Sequence, residues 1–223
     1  MAPRAARAVN GATALAFVVA SLFAVGDWLA KARSRRALEY LCKPATLVGL
    51  IVAAGALDPA TDAHTRRAWF VAALICSLIG DVLLMLPSDL FVPGLAAFLV
   101  GHLCYLVGFW THGPSARALL IATAVVVVLV APLGRRILTS IARAGQPGEL
   151  RVAVAAYMAV ISAMLATATA TGNVLAAAGA LLFVASDSMI AWDRFVYRFA
   201  WAPVAIMVTY HVGQAGLVAS LLR

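Results

Sequence analysis

Charge is what this 223-residue sequence has least of: 12% of its residues are Asp, Glu, Lys or Arg, where water-soluble domains carry roughly a quarter. That scarcity, beside 64% hydrophobic residues, excludes a water-soluble surface. Cysteine is nearly absent too. Cys42, Cys76 and Cys104 lie in or beside apolar segments with no C-x-x-C spacing, so a disulfide framework or cysteine-rich metal site has no support and the three read as small packing residues. There is no G-x-S-x-G elbow, no phosphate-binding loop and no dinucleotide fingerprint, which removes the usual serine-hydrolase and nucleotide chemistries. Acidic residues number 9 against 17 basic ones, a net charge of +8. The basic residues cluster at the ends of apolar runs, where anionic headgroups meet them, so the charge implies membrane lipid and not nucleic acid as partner.

What the sequence does have is apolar runs of bilayer length. They fall near 12–30, 43–57, 68–86, 92–111, 117–133, 150–171, 173–192 and 201–222, and about 20 apolar residues suffice for a helix to cross. Runs such as Ala118 to Ala131 are apolar on every face, unlike the alternating strands of a membrane barrel. The expected fold is therefore all-α: a single integral membrane domain, a polytopic bundle of about eight transmembrane helices. The first run follows Arg4 and Arg7 and precedes a weak cleavage-like Ala30-Lys31-Ala32. Its length and the basic cluster behind it favour a retained span over a secretory signal. The longest connection is expected near 134–149, which holds Arg135, Arg136, Arg143 and a Gln146-Pro147-Gly148 turn.

Counting Lys and Arg gives 11 on the side of the 1–2, 5–6 and 7–8 connections. Six lie on the other side: Arg4, Arg7, Arg66, Arg67, Arg117 and Arg223. The positive-inside rule then sets both termini outside the cytoplasm, in a membrane of the bacterial inner type. A faint internal repeat accompanies the spans, with Gly80-Asp81 and Gly101-His102 in helices 3 and 4 echoed by Ser186-Asp187 and Tyr210-His211 in helices 7 and 8. Four helices separate the copies, so the halves read as two parallel four-helix repeats.

Ionisable groups inside spans cost roughly 2.5–3.5 kcal/mol each on insertion scales and mark function by default. Asp81 and Asp187 are expected at similar shallow depth to Lys43, with His102 and His211 nearer the midplane. Tyr105 follows His102, and Gln214 follows His211, at i+3, so each pair shares a helix face. The set is expected to converge on one polar cavity. Each member has a plainer reading: an Asp or His can simply tie helices together, Lys43 can snorkel from a helix end, and Tyr105, Tyr157, Tyr210, Ser186 and Ser188 can be packing or hydrogen-bond partners. Asp89 and Asp193 read as solvated loop charges. Two carboxylates in an apolar site share protons unequally, one keeping its proton while the other stays ionised, which equips the pair for general acid and base work.

Lys43-Pro44 opening helix 2, Leu78-Ile79-Gly80-Asp81, Gly101-His102-Leu103-Cys104-Tyr105, Ser186-Asp187-Ser188 and Tyr210-His211-Val212-Gly213-Gln214 together resemble the YhhN-like lysoplasmalogenase family. The resemblance covers most of the chain from about residue 40 and implies a hydrolase of the vinyl ether bond of lysoplasmalogens. Its products would be a fatty aldehyde and glycerophosphoethanolamine or glycerophosphocholine. Such a bond is cleaved by protonating its β-carbon, so no nucleophilic serine and no cofactor are called for. In that reading Asp81 and Asp187 are the catalytic carboxylates, with the roles of acid and base open between them. Lys43 would meet the phosphate of a lysophospholipid substrate. His102, Tyr105, Ser186, Tyr210, His211 and Gln214 would line its site. Competing readings are a small proton-coupled transporter or channel, a zinc hydrolase using His102, His211, Asp81 and Asp187, and an intramembrane aspartyl peptidase, which lacks a companion Pro-Ala-Leu element.

Overall fold

The computed structural model describes residues 10–57, 64–111 and 113–222; Arg4, Arg7 and Arg223 of the charge count lie outside them. The described residues form eight α-helices and a closing 3-10 turn at Ser220–Leu222: α1 (Gly11–Ala32), α2 (Arg36–Ala56), α3 (His64–Met85), α4 (Phe91–Trp110), α5 (Ala116–Arg143), α6 (Gly148–Ala170), α7 (Val174–Phe195) and α8 (Ala202–Ala219). Each is long and apolar enough to cross a membrane. The molecule is an integral, multi-pass, all-α membrane protein.

Two helices outrun their apolar stretches, because helices end at backbone signals and hydropathy ends at the first charge. α5 continues ten residues past the expected 133, carrying Arg135, Arg136 and Arg143 on a helix instead of in a loop. It stops where Gly145 takes a φ of +66°, a conformation glycine adopts without a Cβ clash. α2 starts at Arg36, so Lys43 and Pro44 lie two turns inside the helix and do not open it. Asp193 likewise belongs to α7, where its carboxylate accepts from the Phe199 N–H at 3.2 Å.

The chain packs as hairpins. α1, α2, α3, α4, α6, α7 and α8 follow one another around a ring that closes on α1, and α5 lies outside it against α6 and α7. The pairing of consecutive helices in the first half recurs in the second, but α1 sits within the ring whereas α5 does not. The α7–α8 pair crosses at Gly179, where a Cβ would meet the Gly213 carbonyl oxygen and the Leu217 nitrogen, each at 2.8 Å. Only hydrogen fits there. In lipid, where hydrophobicity does not drive helices together, such close backbone packing supplies much of the association.

Arg66, counted from sequence as a headgroup-facing charge, is buried and donates to the Ser220 carbonyl at 3.1 Å. The far end of α3 is thereby tied to the end of the chain.

Candidate functional site

Seven of the nine residues singled out from the sequence stand, at 1.5 Å per residue, roughly 6 to 17 Å inside the helix ends nearest the connections at 33–35, 86–90, 144–147 and 196–201, and Tyr105 and Gln214 lie deeper, about 21 and 18 Å from those ends. The expected difference in depth between carboxylates and histidines does not hold for Asp187. α7 runs on to Phe195, which sets Asp187 deeper, level with His102.

The residues form two clusters, not one open cavity. In the first, Lys43 Nζ of α2 lies 3.1 Å from Asp81 Oδ1 of α3, with side chains 5% and 2% exposed. Tyr210 of α8 donates to Asp81 Oδ2 at 2.8 Å. Behind it, Gln214 Nε2 donates to the Tyr210 hydroxyl at 3.4 Å, and Tyr105 of α4 donates to Gln214 Oε1 at 2.5 Å. Every proton in this chain points toward Asp81, which with Lys43 beside it is arranged as an ionised acceptor. Lys43 in the resting protein therefore faces a carboxylate within the bundle.

In the second cluster, Tyr157 of α6 donates a short hydrogen bond to Asp187 Oδ2. His102 Nε2 lies 2.8 Å from the Tyr157 hydroxyl and 3.3 Å from the same carboxylate oxygen. Since Tyr157 gives its one proton to Asp187, His102 is the donor to Tyr157 and carries its hydrogen on Nε2. Asp187 makes these contacts through Oδ2 alone and is 12% exposed. It borders a narrow cavity walled by Leu84, Phe98, Val130, Val154, Met158 and Ile161 among others. The cavity holds about 50 Å³, room for a few waters at about 10–15 Å³ each.

Phe183, fully buried, separates the clusters, with its ring 4.7 Å from that of His102 and 5.2 Å from that of Tyr210. The clusters interlock: the α3 carboxylate is held by α8, and the α7 carboxylate by α4. Each carboxylate is thus held in part by a helix from the other half of the chain.

His211 joins neither carboxylate. Its Nδ1 accepts from Trp28 Nε1 of α1 at 3.1 Å and the rings stack, which fixes the neutral tautomer with hydrogen on Nε2. Ser186 donates to the Ile206 carbonyl at 3.0 Å and ties α7 to α8. The zinc reading loses its ligand set: His211 is turned to Trp28 and Asp81 to Lys43. Among the described residues no three His, Cys, Asp or Glu side chains gather as a metal site.

The structure adds Asp27 of α1, which sequence reasoning passed over. It is 0% exposed, neither carboxylate oxygen has a hydrogen-bond partner, and it lies within range of the Lys43 charge. The signal was present, since Asp27 interrupts an apolar run as plainly as Asp81 does. Tyr157 was seen only as a packing or hydrogen-bond residue, and its contact with Asp187 depends on α6 and α7 meeting.

The YhhN family model matches residues 38–221, from α2 through α8; Asp27 and Trp28 lie outside that region. The chain is similar to lysoplasmalogenase TMEM86B of Homo sapiens, 37% identical over 153 residues covering 68% of this chain and 62% of that protein. It is similar to TMEM86B of Rattus norvegicus at 35% over 153 residues, covering 68% and 60% respectively. With the lysoplasmalogenase of Mycobacterium tuberculosis (strain CDC 1551 / Oshkosh) it shares 32% over 178 residues, covering 78% of this chain and 68% of the relative. The chain thus spans about three fifths of the length of the two mammalian relatives. No solved structure matches it. A family match that takes in both carboxylates and every helix around them except α1 shows that the chain belongs to the YhhN family.

Proposed function

We propose that this protein is a membrane-embedded hydrolase that cleaves the vinyl ether bond of lysoplasmalogens, with Asp187 as the general acid. The observation that carries the reading is that Asp187 is the carboxylate bordering an apolar cavity, while Asp81 is engaged by Lys43 and Tyr210. The names of the relatives support the substrate class. The Lys and Arg count supports a bacterial inner-membrane setting with both termini outside the cytoplasm.

The chemistry needs one proton, one water and no covalent enzyme intermediate. Protonated Asp187 gives its proton to the β-carbon of the vinyl ether, and the ether oxygen lone pair closes a C=O bond to form an oxocarbenium ion. The Asp187 carboxylate left behind faces that cation and takes a proton from the water adding to the carbon next to oxygen. The hemiacetal then breaks its bond to the glycerol oxygen, releasing aldehyde as the proton passes to glycerophosphoethanolamine or glycerophosphocholine. Asp81, ionised beside Lys43, contributes a fixed negative charge. That charge stabilises the cation formed in the step. Tyr157 and His102 hold the Asp187 carboxyl in one orientation, leaving Oδ1 for the substrate.

The test is turnover of a defined lysoplasmalogen by detergent-purified protein in deuterated water. Protonation at the β-carbon places one deuteron on the carbon next to the aldehyde, beyond what the free aldehyde exchanges in the same buffer. Aldehyde without that label would remove the mechanism, and no aldehyde from either headgroup form would remove the activity.

A further inference from the structure

A second cavity runs along the lipid-facing side of the bundle between α4, α5 and α6. It has a volume of about 890 Å³ and an almost wholly apolar wall that includes Trp110, Leu119, Val126 and Ala163. Volumes of roughly 300–1,000 Å³ are those of small-molecule sites. The cationic residue along it is Arg135, near the end of the helices where the carboxylates lie. From Arg135 back to Leu119 is sixteen residues of α5, about 24 Å at 1.5 Å per residue. One leaflet's share of hydrocarbon is about 15 Å. A chain whose phosphate meets Arg135 therefore fits lengthwise.

The groove is also joined to the chemistry. Val130 and Met158 line both it and the small cavity at Asp187, so these two side chains are the partition between them. Met158 is flexible and unbranched, and it lies against Gly134, where a Cβ would come within 2.9 Å of its methyl carbon. Glycine at 134 gives the Met158 tip space on the groove side. The cavity at Asp187 is too small for a hydrocarbon chain; the groove is not.

We propose that the α4–α5–α6 groove binds the single hydrocarbon chain of the lysolipid substrate, with its phosphate at Arg135, and that the vinyl ether reaches Asp187 between Val130 and Met158. This rests on the hydrolase reading and deepens it. The chain enters sideways from the bilayer and stays in apolar surroundings. Only the reacting end passes the partition. Ala163 then lies six residues beyond Tyr157 on α6, about 9 Å farther along the chain.

The experiment is Ala163→Trp, an exposed position whose enlargement leaves the core untouched, assayed on lysoplasmalogens with octenyl and octadecenyl chains. Leu22→Trp, on the lipid face of α1, controls for an added indole. A blocked groove lowers kcat/KM for the long chain by about tenfold or more, leaves the short chain within about twofold, and leaves Leu22→Trp unchanged on both. Equal effects on both chain lengths, or none, overturn the groove while the hydrolase stands. Should wild type be inert on both, the hydrolase reading falls. The groove is then decided by a lysophosphatidylethanolamine carrying a photoreactive diazirine at its chain end. Labelling of peptides from 106–111, 119–123 and 163–167, displaced by excess unlabelled lysolipid, upholds the groove. Labelling spread over the lipid faces of α1 and α7 overturns it.

Discussion

Replacing Lys43 by Met removes one partner of a buried ion pair while keeping nearly the same volume. At 3.1 Å and an effective dielectric near 20, the two charges attract by about 5 kcal/mol, and much of that offsets their removal from water. Breaking such a pair from one side costs about 3–5 kcal/mol because the remaining charge is left buried. Asp81 keeps the Tyr210 hydroxyl, so the loss belongs at the lower end, about 3 kcal/mol. The converse change, Asp81→Asn, should cost less. Lys43 would still have the charge of Asp27 in range. The double variant should recover most of the loss, since replacing both members of a buried pair is often nearly neutral. Reversible unfolding in mixed micelles measures all three. A Lys43→Met loss below about 1 kcal/mol, or a double variant as weak as the summed singles, would refute the claim that this pair is buried and mutually dependent.

Three further outcomes follow from the packing. Gly179→Ala puts a methyl group 2.8 Å from the α8 backbone, so it should lower stability by about 1–3 kcal/mol and depress turnover by shifting Tyr210; wild-type stability in that variant would contradict the crossing. Asp27→Asn removes a buried charge that lacks hydrogen bonds, and its unfolding midpoint should equal or exceed that of wild type. A clear drop would mean that Asp27 supports Lys43 more than its own burial opposes folding. Asp89, in the 3–4 connection, is held below the usual carboxylate range by hydrogen bonds from Arg194 and by its charge. That contribution is present above the usual range and disappears as pH falls through the lowered pKa. Because the pair is exposed, Asp89→Asn should leave the melting temperature at pH 7 unchanged within error; a fall of several degrees would contradict this.

The helical architecture was legible because apolar runs of bilayer length admit few other structures. Helix ends were less so: Arg135 and Arg136 end the hydropathy of α5 but not its hydrogen bonding, and Lys43 looked terminal because Arg35 and Arg36 precede it. Asp81, Asp187, His102, Tyr105, Tyr210 and Gln214 could be singled out since each places a polar group in a span. Their pairings could not. Which oxygen faces Lys43, and that His211 turns to Trp28, depend on how the ring closes α8 against α1. Asp27 could have been found by the same rule, since it interrupts the apolar run of α1. The division into an ion-paired carboxylate and a cavity-facing one is a property of the assembled bundle, with Phe183 as its wall.

The central claim is that Asp187 supplies the proton and Asp81 the fixed charge. Aldehyde release from a defined lysoplasmalogen, compared among wild type, Asp187→Asn and Asp81→Asn proteins that extract and unfold normally, tests it most directly. The account predicts release by wild type and a loss of about 100- to 10,000-fold in Asp187→Asn, as removal of a general acid entails, with Asp81→Asn slowed and still measurable. Retention of near wild-type turnover by Asp187→Asn would contradict it.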